Sequence, residues 1–298
     1  MYKKIFKFGI LFSLLFTLIT SISKSIASNN DNPSKVEVDL LGKQIQDSNS
    51  KKRVVALTSL SADIVERIDS NILVGIPGSK LFMNNPRFSK KVIISRGRTP
   101  PQLEKILKLQ PDLVIGSKGF HEKTLKALRD LGIETLSVEI KDFDDLESLI
   151  NNLLIFSGKD IFPFKSVMNS CYMKNHNFKP RVIALVSLKP LLSPNSNSWA
   201  GNLLERFNIE NLSAKLESKS QFKGYVNLSY EWIVTNKPDH FILVETRNNL
   251  TQQFKQDPVF KKLKAFDSGS LTSFDYYGLV NPGSLESINN ACKKLSVL

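Results

Sequence analysis

A few side chains in this sequence are suited to gripping a small anionic ligand. Arg96 and Arg98 flank Gly97, and Arg247 stands far downstream. A guanidinium meets carboxylate or catecholate oxygens in pairs, through two parallel N–H donors. Each arginine could equally be a solvated loop charge. Trp199, Phe120, Tyr225, Tyr276 and Tyr277 offer flat apolar surfaces of the kind that wall ligand sites. Their competing use is core packing, which suits Phe120 better than Trp199, whose neighbours Asn197, Ser198 and Gly201 are polar or small. Ser117 and His121 complete the set of candidate ligand contacts.

Catalytic patterns are missing from the same sequence. It has no Gly-x-Ser-x-Gly elbow, no phosphate loop and no His-Glu-x-x-His. Its histidines, His121, His176 and His240, are widely separated, which disfavours a histidine-built zinc site. Asp63, Glu66 and Glu134 fall in helix or strand-edge contexts that require no catalytic role. The expectation is a binding protein rather than an enzyme, with no metal or cofactor of its own.

The N-terminus sets the compartment. Lys3, Lys4 and Lys7 precede an apolar run from Gly9 to Thr20, the length of a signal-peptide core and short for a membrane span. Ser25-Ile26-Ala27 supplies small residues for cleavage after Ala27; the alternative is an uncleaved anchor. No cysteine stands near the cut, which argues against a lipid anchor. The full chain has 298 residues, 41 basic and 28 acidic, for a net charge of +13. Residues 1–27 carry four of those lysines and no acid, so the exported chain keeps about +9. An exported protein rarely meets nucleic acid, so an anionic small ligand or surface fits this charge better, although Lys- and Asn-rich composition alone could produce it. Cys171 and Cys292 would reside where disulfides form, but nothing in the sequence places them side by side.

An internal repeat organises the rest. Arg53-Val-Val-Ala-Leu-Thr-Ser-Leu returns at Arg181 as Arg-Val-Ile-Ala-Leu-Val-Ser-Leu, with six of eight positions identical. Glu104, followed by Pro111-Asp112, returns at the same interval as Glu231 with Pro238-Asp239. Two ordered matches imply two lobes of similar fold. Buried strands are expected at 53–58, 113–116, 133–138, 181–187 and 240–244. Helices are expected at 61–68 (capped by Ser61), after Thr99-Pro100-Pro101-Gln102 (a capping box), and at 122–131 and 143–157. Others should cover 160–175, 199–207, 229–236, 256–263 and 284–295. Alternating strands and helices with short loops give an α/β fold with parallel sheets. The expected divisions are 1–27 signal peptide, 28–50 N-terminal segment, 51–141 first lobe, 142–178 helical connector and 179–298 second lobe. Ligands of open α/β sheets bind beyond the strands' carboxyl ends. That rule nominates Thr58–Leu60, Ser117–His121, Ser187–Ser198 and Glu245–Arg247 as a rim.

These blocks resemble the helical-backbone periplasmic binding proteins, which carry cobalamin, haem and ferric siderophores to ABC importers. The resemblance runs over about residues 50–295. It rests on Arg53–Ser59, Leu73–Ile76, Leu103–Ile115, Asp257–Phe260, Leu263–Ala265 and Tyr276–Gly283, the last favouring the iron-complex branch. It implies two parallel-sheet lobes joined by a long helix, with an interlobe ligand cleft and little closure. It also implies a monomer in the periplasm, handing an iron complex, foremost a ferric siderophore, to an ABC permease. Glu104 and Glu231 would dock on permease arginines, and their positions at helix N-termini are favourable for carboxylates in any case. Tyr276 or Tyr277, with His121, could serve as haem ligands. Haem or cobalamin binding remains an alternative, as does an envelope protein that kept the fold without transport.

Overall fold

The computed structural model describes residues 52–298, apart from 97–98, 173–178, 218–219, 246–248 and 263–269, and leaves the Arg96 side chain undescribed. The expected signal peptide, the 28–50 segment, Arg98 and Arg247 lie outside the described residues.

The first copy of the repeat begins a five-stranded, all-parallel sheet of order β3-β2-β1-β4-β5. Its strands are β1 (Val54–Ala56), β2 (Leu73–Gly78), β3 (Val92–Arg96), β4 (Leu113–Ser117) and β5 (Glu134–Val138). The second copy begins a separate parallel sheet of order β12-β11-β6-β9. It contains β6 (Arg181–Leu185), β9 (Glu210–Asn211), β11 (His240–Glu245) and β12 (Leu271–Asp275). A small antiparallel sheet of β7 (Ser187–Leu188), β8 (Leu191–Pro194) and β10 (Tyr225–Asn227) completes this half.

Side chains alternate across each central strand, so continuous apolar runs are buried on both faces. Val55 and Val114 face α2 (Leu103–Lys108) and α3 (Glu122–Asp130) through Ile106, Leu125 and Leu128. In the other sheet Ile183 and Leu185 face α7 (Tyr230–Asn236) and α8 (Leu250–Gln256) through Ile233 and Phe254. The opposite faces of both sheets share one hydrophobic cluster. It also contains α1 (Ser59–Asp69), α4 (Phe143–Ser157), α6 (Trp199–Arg206) and the C-terminal helix Leu285–Leu295. The lobes are therefore joined by a common apolar layer.

The repeated Arg and Pro-Asp residues form the same joint twice. Asp112 Oδ2 accepts the Arg53 backbone N–H at 2.7 Å, and Arg53 Nε donates to the Leu109 carbonyl at 2.7 Å. Asp239 Oδ2 accepts the Arg181 backbone N–H at 3.2 Å, and the Arg181 guanidinium donates to the Asn236 carbonyl at 2.9 Å. In each lobe the arginine satisfies a carbonyl left over at a helix C-terminus, and the aspartate locks the next strand beside the first. Gln110 and Lys237, both left-handed (φ 43° and 46°), make the turn before each proline.

In sequence between the two sheets comes α4, a helix of 15 residues that buries Phe143, Leu146, Leu149, Ile150 and Leu153. Asp142 caps its start by accepting the Asp145 N–H at 2.8 Å, and left-handed Gly158 ends it. The helix expected over 160–175 is instead one turn, α5 (Phe164–Val167), followed by a 3₁₀ turn at Asn169–Tyr172; 173–178 lie outside the described residues. Pro163 keeps the residue before it out of helical geometry, so no helix crosses that point. Three other local expectations shift. Thr58, not Ser61, caps α1, and α2 starts after Gln102, which makes no side-chain cap bond. The helix placed at 256–263 lies at 250–256, because Pro258 forces Asp257 into extended geometry.

One buried carboxylate ties the C-terminal helix to the first. Asp63 on α1 is 2% exposed; its Oδ2 accepts the Leu285 N–H at 2.9 Å, while Arg67 and Arg87 pair with the same group. Behind it, a disulfide links Cys171 to Cys292, and Asn289 Oδ1 accepts the Ser170 N–H at 2.9 Å. Replacing Asp63 strands two cations and an orphan helix N–H. Arg67 and Arg87 are partly solvated, so Asp63→Ala should cost about 3 kcal/mol, the low end for a broken buried pair. Asp63→Asn, which keeps an acceptor for Leu285, should cost roughly half that. Urea-unfolding midpoints measure both; an alanine variant as stable as the parent would refute this role.

Candidate functional site

The connection order reverses beside β1 in the first sheet and beside β6 in the second. Both reversals open at the strands' carboxyl ends, where crevices form between diverging loops. The turn after β4 is fixed by close packing. A Cβ on Gly116 would lie 2.9 Å from His121 Cβ, and Gly119 turns with φ 76°. His121 is buried and its Nδ1 accepts the Ser117 backbone N–H at 2.9 Å. Burial holds its pKa below the ordinary 6.5. The neutral ring is thus the folded form, and His121 shapes the turn rather than presenting a cation. Phe120, on the same turn, is 66% exposed and meets His121 edge-on, the opposite of the core position favoured by its residue type.

On the second lobe the structure gathers the three candidate tyrosines. Tyr225 lies on β10 opposite Pro194, and Tyr276 and Tyr277 follow β12. Burial, with a smaller contribution from neighbouring Tyr276, pushes the Tyr225 phenol well above its usual range. The Tyr276 and Tyr277 rings stand edge to face at 5.4 Å, and Tyr276 remains 40% exposed. Left-handed Gly278 (φ 100°) makes the bend beneath them, where any Cβ would strike the Ser287 carbonyl. Tyr277 and Leu81 of the first lobe both crowd Gly283, whose added Cβ would approach them to 2.5 and 2.8 Å.

Trp199 does not wall the cleft. It is 4% exposed, stacks on Phe143 at 5.4 Å, and donates its indole N–H to the Gly278 carbonyl at 2.8 Å. Its polar neighbours have structural uses. Ser198 caps α6 by accepting the Gly201 N–H, and Gly201 lies too close to Asn195 to carry a side chain. Trp199 therefore braces the tyrosine bend from behind. Glu245, at the expected rim, accepts the Leu250 and Thr251 N–H groups at 3.1 Å each and starts α8. Ser117 is half-buried at the end of β4, and Arg96 ends β3.

A charged group with no local sequence signature lies where β5 leaves the first sheet. Glu139 faces Lys118 at 3.4 Å, Lys141 at 3.2 Å and Lys223 at 3.6 Å. Lys223 comes from the second lobe, just before β10. Burial pushes the Glu139 carboxyl upward, yet hydrogen bonds and charge from the lysines hold it below its ordinary range. Glu104 and Glu231 lie apart from these groups, both exposed in the first turns of α2 and α7. Among the described residues no three His, Cys, Asp or Glu side chains converge, and no helix is long and apolar enough to cross a membrane.

His121 makes the turn's stability pH-dependent. Its folded pKa lies below its unfolded one, so its stabilisation is full above about pH 6.5 and is lost as pH falls through the depressed folded value. His121→Asn keeps an acceptor near Nδ1 and removes the titration. Thermal melts should show a smaller loss of stability from about pH 7 to pH 5 in the variant than in the parent. Equal losses would remove His121 from this role.

Residues 54–153 match the periplasmic binding protein family. No curated protein of similar sequence is found. The fold is similar to that of a possible iron-binding periplasmic solute-binding protein from Staphylococcus epidermidis, at TM-score 0.66 and 19% identity over 83% of this chain and 98% of that one. It is also similar to the haem-binding protein HutB of Vibrio cholerae, at TM-score 0.67 and 16% identity over 83% and 98%. The vitamin B12 binding protein BtuF of the same organism follows at 0.61 and 17% over 83% and 95%. The chain thus has the two-lobed α/β fold of the helical-backbone periplasmic binding proteins, and its residues 54–153 carry that family's sequence pattern.

Proposed function

We propose that this protein is the substrate-binding component of an ABC importer and captures an anionic iron complex, foremost a ferric siderophore. The observation that carries the reading is the convergence of Tyr225, Tyr276 and Tyr277 at the carboxyl edge of the second lobe, opposite loops of the first. Phenol rings supply apolar walls with polar tips, which suits a chelate whose rim is aromatic and whose oxygens are charged. Arg96, Arg98 and Arg247 are assigned to grip that charge, and Ser117 to border it. The lobes are taken as 51–141 and 179–298, with 142–178 between them. The protein works as a monomer in the periplasm after cleavage behind Ala27, a compartment that suits the Cys171–Cys292 disulfide. Haem is the second reading, favoured by the exposed phenol of Tyr276 as an iron ligand.

Native mass spectrometry and fluorescence titration against ferric siderophores, haemin and cobalamin test the ligand. Micromolar or tighter binding of a ferric siderophore is expected, about −8 kcal/mol or better. Tight cobalamin binding with no response to any iron complex would overturn the iron reading.

Glu104 and Glu231 are proposed to dock on the permease. The repeat gives them equivalent places on the two lobes, each on a helix held by the Arg–Asp joint. Glu104→Ala with Glu231→Ala should leave ligand affinity unchanged in solution and reduce uptake and permease binding, and charge reversal to arginine should reduce both further. Loss of ligand affinity in the double variant would return the glutamates to the ligand site.

A further inference from the structure

The Glu139 cluster is poorly explained as a stabilising device. Three ammonium groups share one carboxylate, leaving an excess of positive charge at one spot. Lys118, Lys141 and Lys223 are 67%, 46% and 78% exposed, and surface pairs of this kind contribute little to folding. None of the three has another carboxylate within 4 Å among the described residues. Their positions are not random over the surface. Lys118 is in the turn after β4 and Lys141 in the segment between β5 and α4. Lys223 reaches across from the second lobe, and the next strand, β10, carries Tyr225. An exposed aromatic ring stands close in sequence to a lysine on each lobe: Phe120 near Lys118, and Phe222, 61% exposed, beside Lys223. Each ring offers an apolar surface beside a cation, one on each lobe.

We infer that Lys118, Lys141 and Lys223 form the anion-selecting mouth of the interlobe site, with Glu139 as a built-in counter-ion that an incoming anion must displace. Phe120 and Phe222 supply the apolar contacts for its rings, so the ligand class is an aromatic polyanion of the catecholate-chelate type. This inference rests on the iron-complex reading and names the residues that select within it. Electrostatically, Glu139 lowers affinity for every anion and leaves neutral ligands untouched, so its removal discriminates by charge alone. Because the cluster draws its lysines from both lobes, the charge is concentrated only while the lobes are apposed.

The test compares two hexadentate ferric complexes of similar size, a trianionic tris(catecholate) and a neutral tris(hydroxamate), titrated against purified protein. Glu139→Gln should tighten catecholate binding about threefold, and the triple variant Lys118→Gln, Lys141→Gln, Lys223→Gln should weaken it about tenfold. Neither should move the hydroxamate, and melting temperatures should stay near the parent value because all four side chains are at the surface. Catecholate affinities that do not respond, or that shift equally with hydroxamate affinities, would overturn the anion mouth while leaving the iron reading intact. A parent protein that binds neither ferric complex would overturn both.

Discussion

The carboxylate of Asp63 is the point on which the two halves depend. It is buried on the first helix and spends its oxygens on a backbone N–H of the last helix and on two arginines. A lone buried charge would be costly; three donors make it tolerable and fix its position. That contact sets the height and rotation of the C-terminal helix, which the disulfide from Cys292 to Cys171 secures about two turns further along. The tyrosine segment 276–283 immediately precedes this helix. Its bend is held from below by Ser287 and from behind by Trp199. The apparatus that shapes the second lobe's candidate site is thus anchored on the first lobe.

Packing joins the two sheets as well. The inner faces of both sheets and α1, α4, α6 and the C-terminal helix share one apolar cluster. Rotating one lobe against the other would shear that layer, and packed interiors resist such shear. Outside that layer stand the exposed groups: Lys118, Lys141 and Lys223, Phe120 and Phe222. Under the proposed function, selectivity would then rest on side chains carried by a stiff frame.

Much of the fold was legible in the sequence because its signals are local or repeated. The strand at Arg53 and its copy at Arg181 announced two sheets, and Asp142 and Gly158 marked both ends of α4. In sequence the repeat shows strands and glutamates, whereas its most specific content is the Arg–Asp joint, which exists only once the two segments are side by side. Sequence and structure diverge where a local cue has a stronger competitor. Pro163 and Pro258 outweighed helical periodicity, and Thr58 capped a helix assigned to Ser61. Trp199 is buried although its polar neighbours resemble an exposed loop, because those neighbours are the cap of α6. Phe120 goes the opposite way: its residue type suits a core, and its ring stands in solvent. The Glu139 cluster has no local signature, since its members come from three separate places in the chain: Lys118, the Glu139–Lys141 stretch and Lys223. The Asp63 network was hidden for the same reason: its partner at Leu285 is a backbone group, which no residue type betrays.

The duplicated Arg–Asp joint has a mechanical corollary. Each joint pins a helix C-terminus to the root of its own sheet, and the opposite end of each helix carries an exposed glutamate. Neither helix can drift relative to its sheet without breaking an arginine–carbonyl bond and an aspartate–amide bond together. The two carboxylates therefore behave as the tips of a caliper whose arms are the sheets. Any change in the angle between the sheets, however small at the apolar hinge layer, is transmitted to the gap between those tips, so a partner that grips both would measure the posture of the whole molecule from its outer surface.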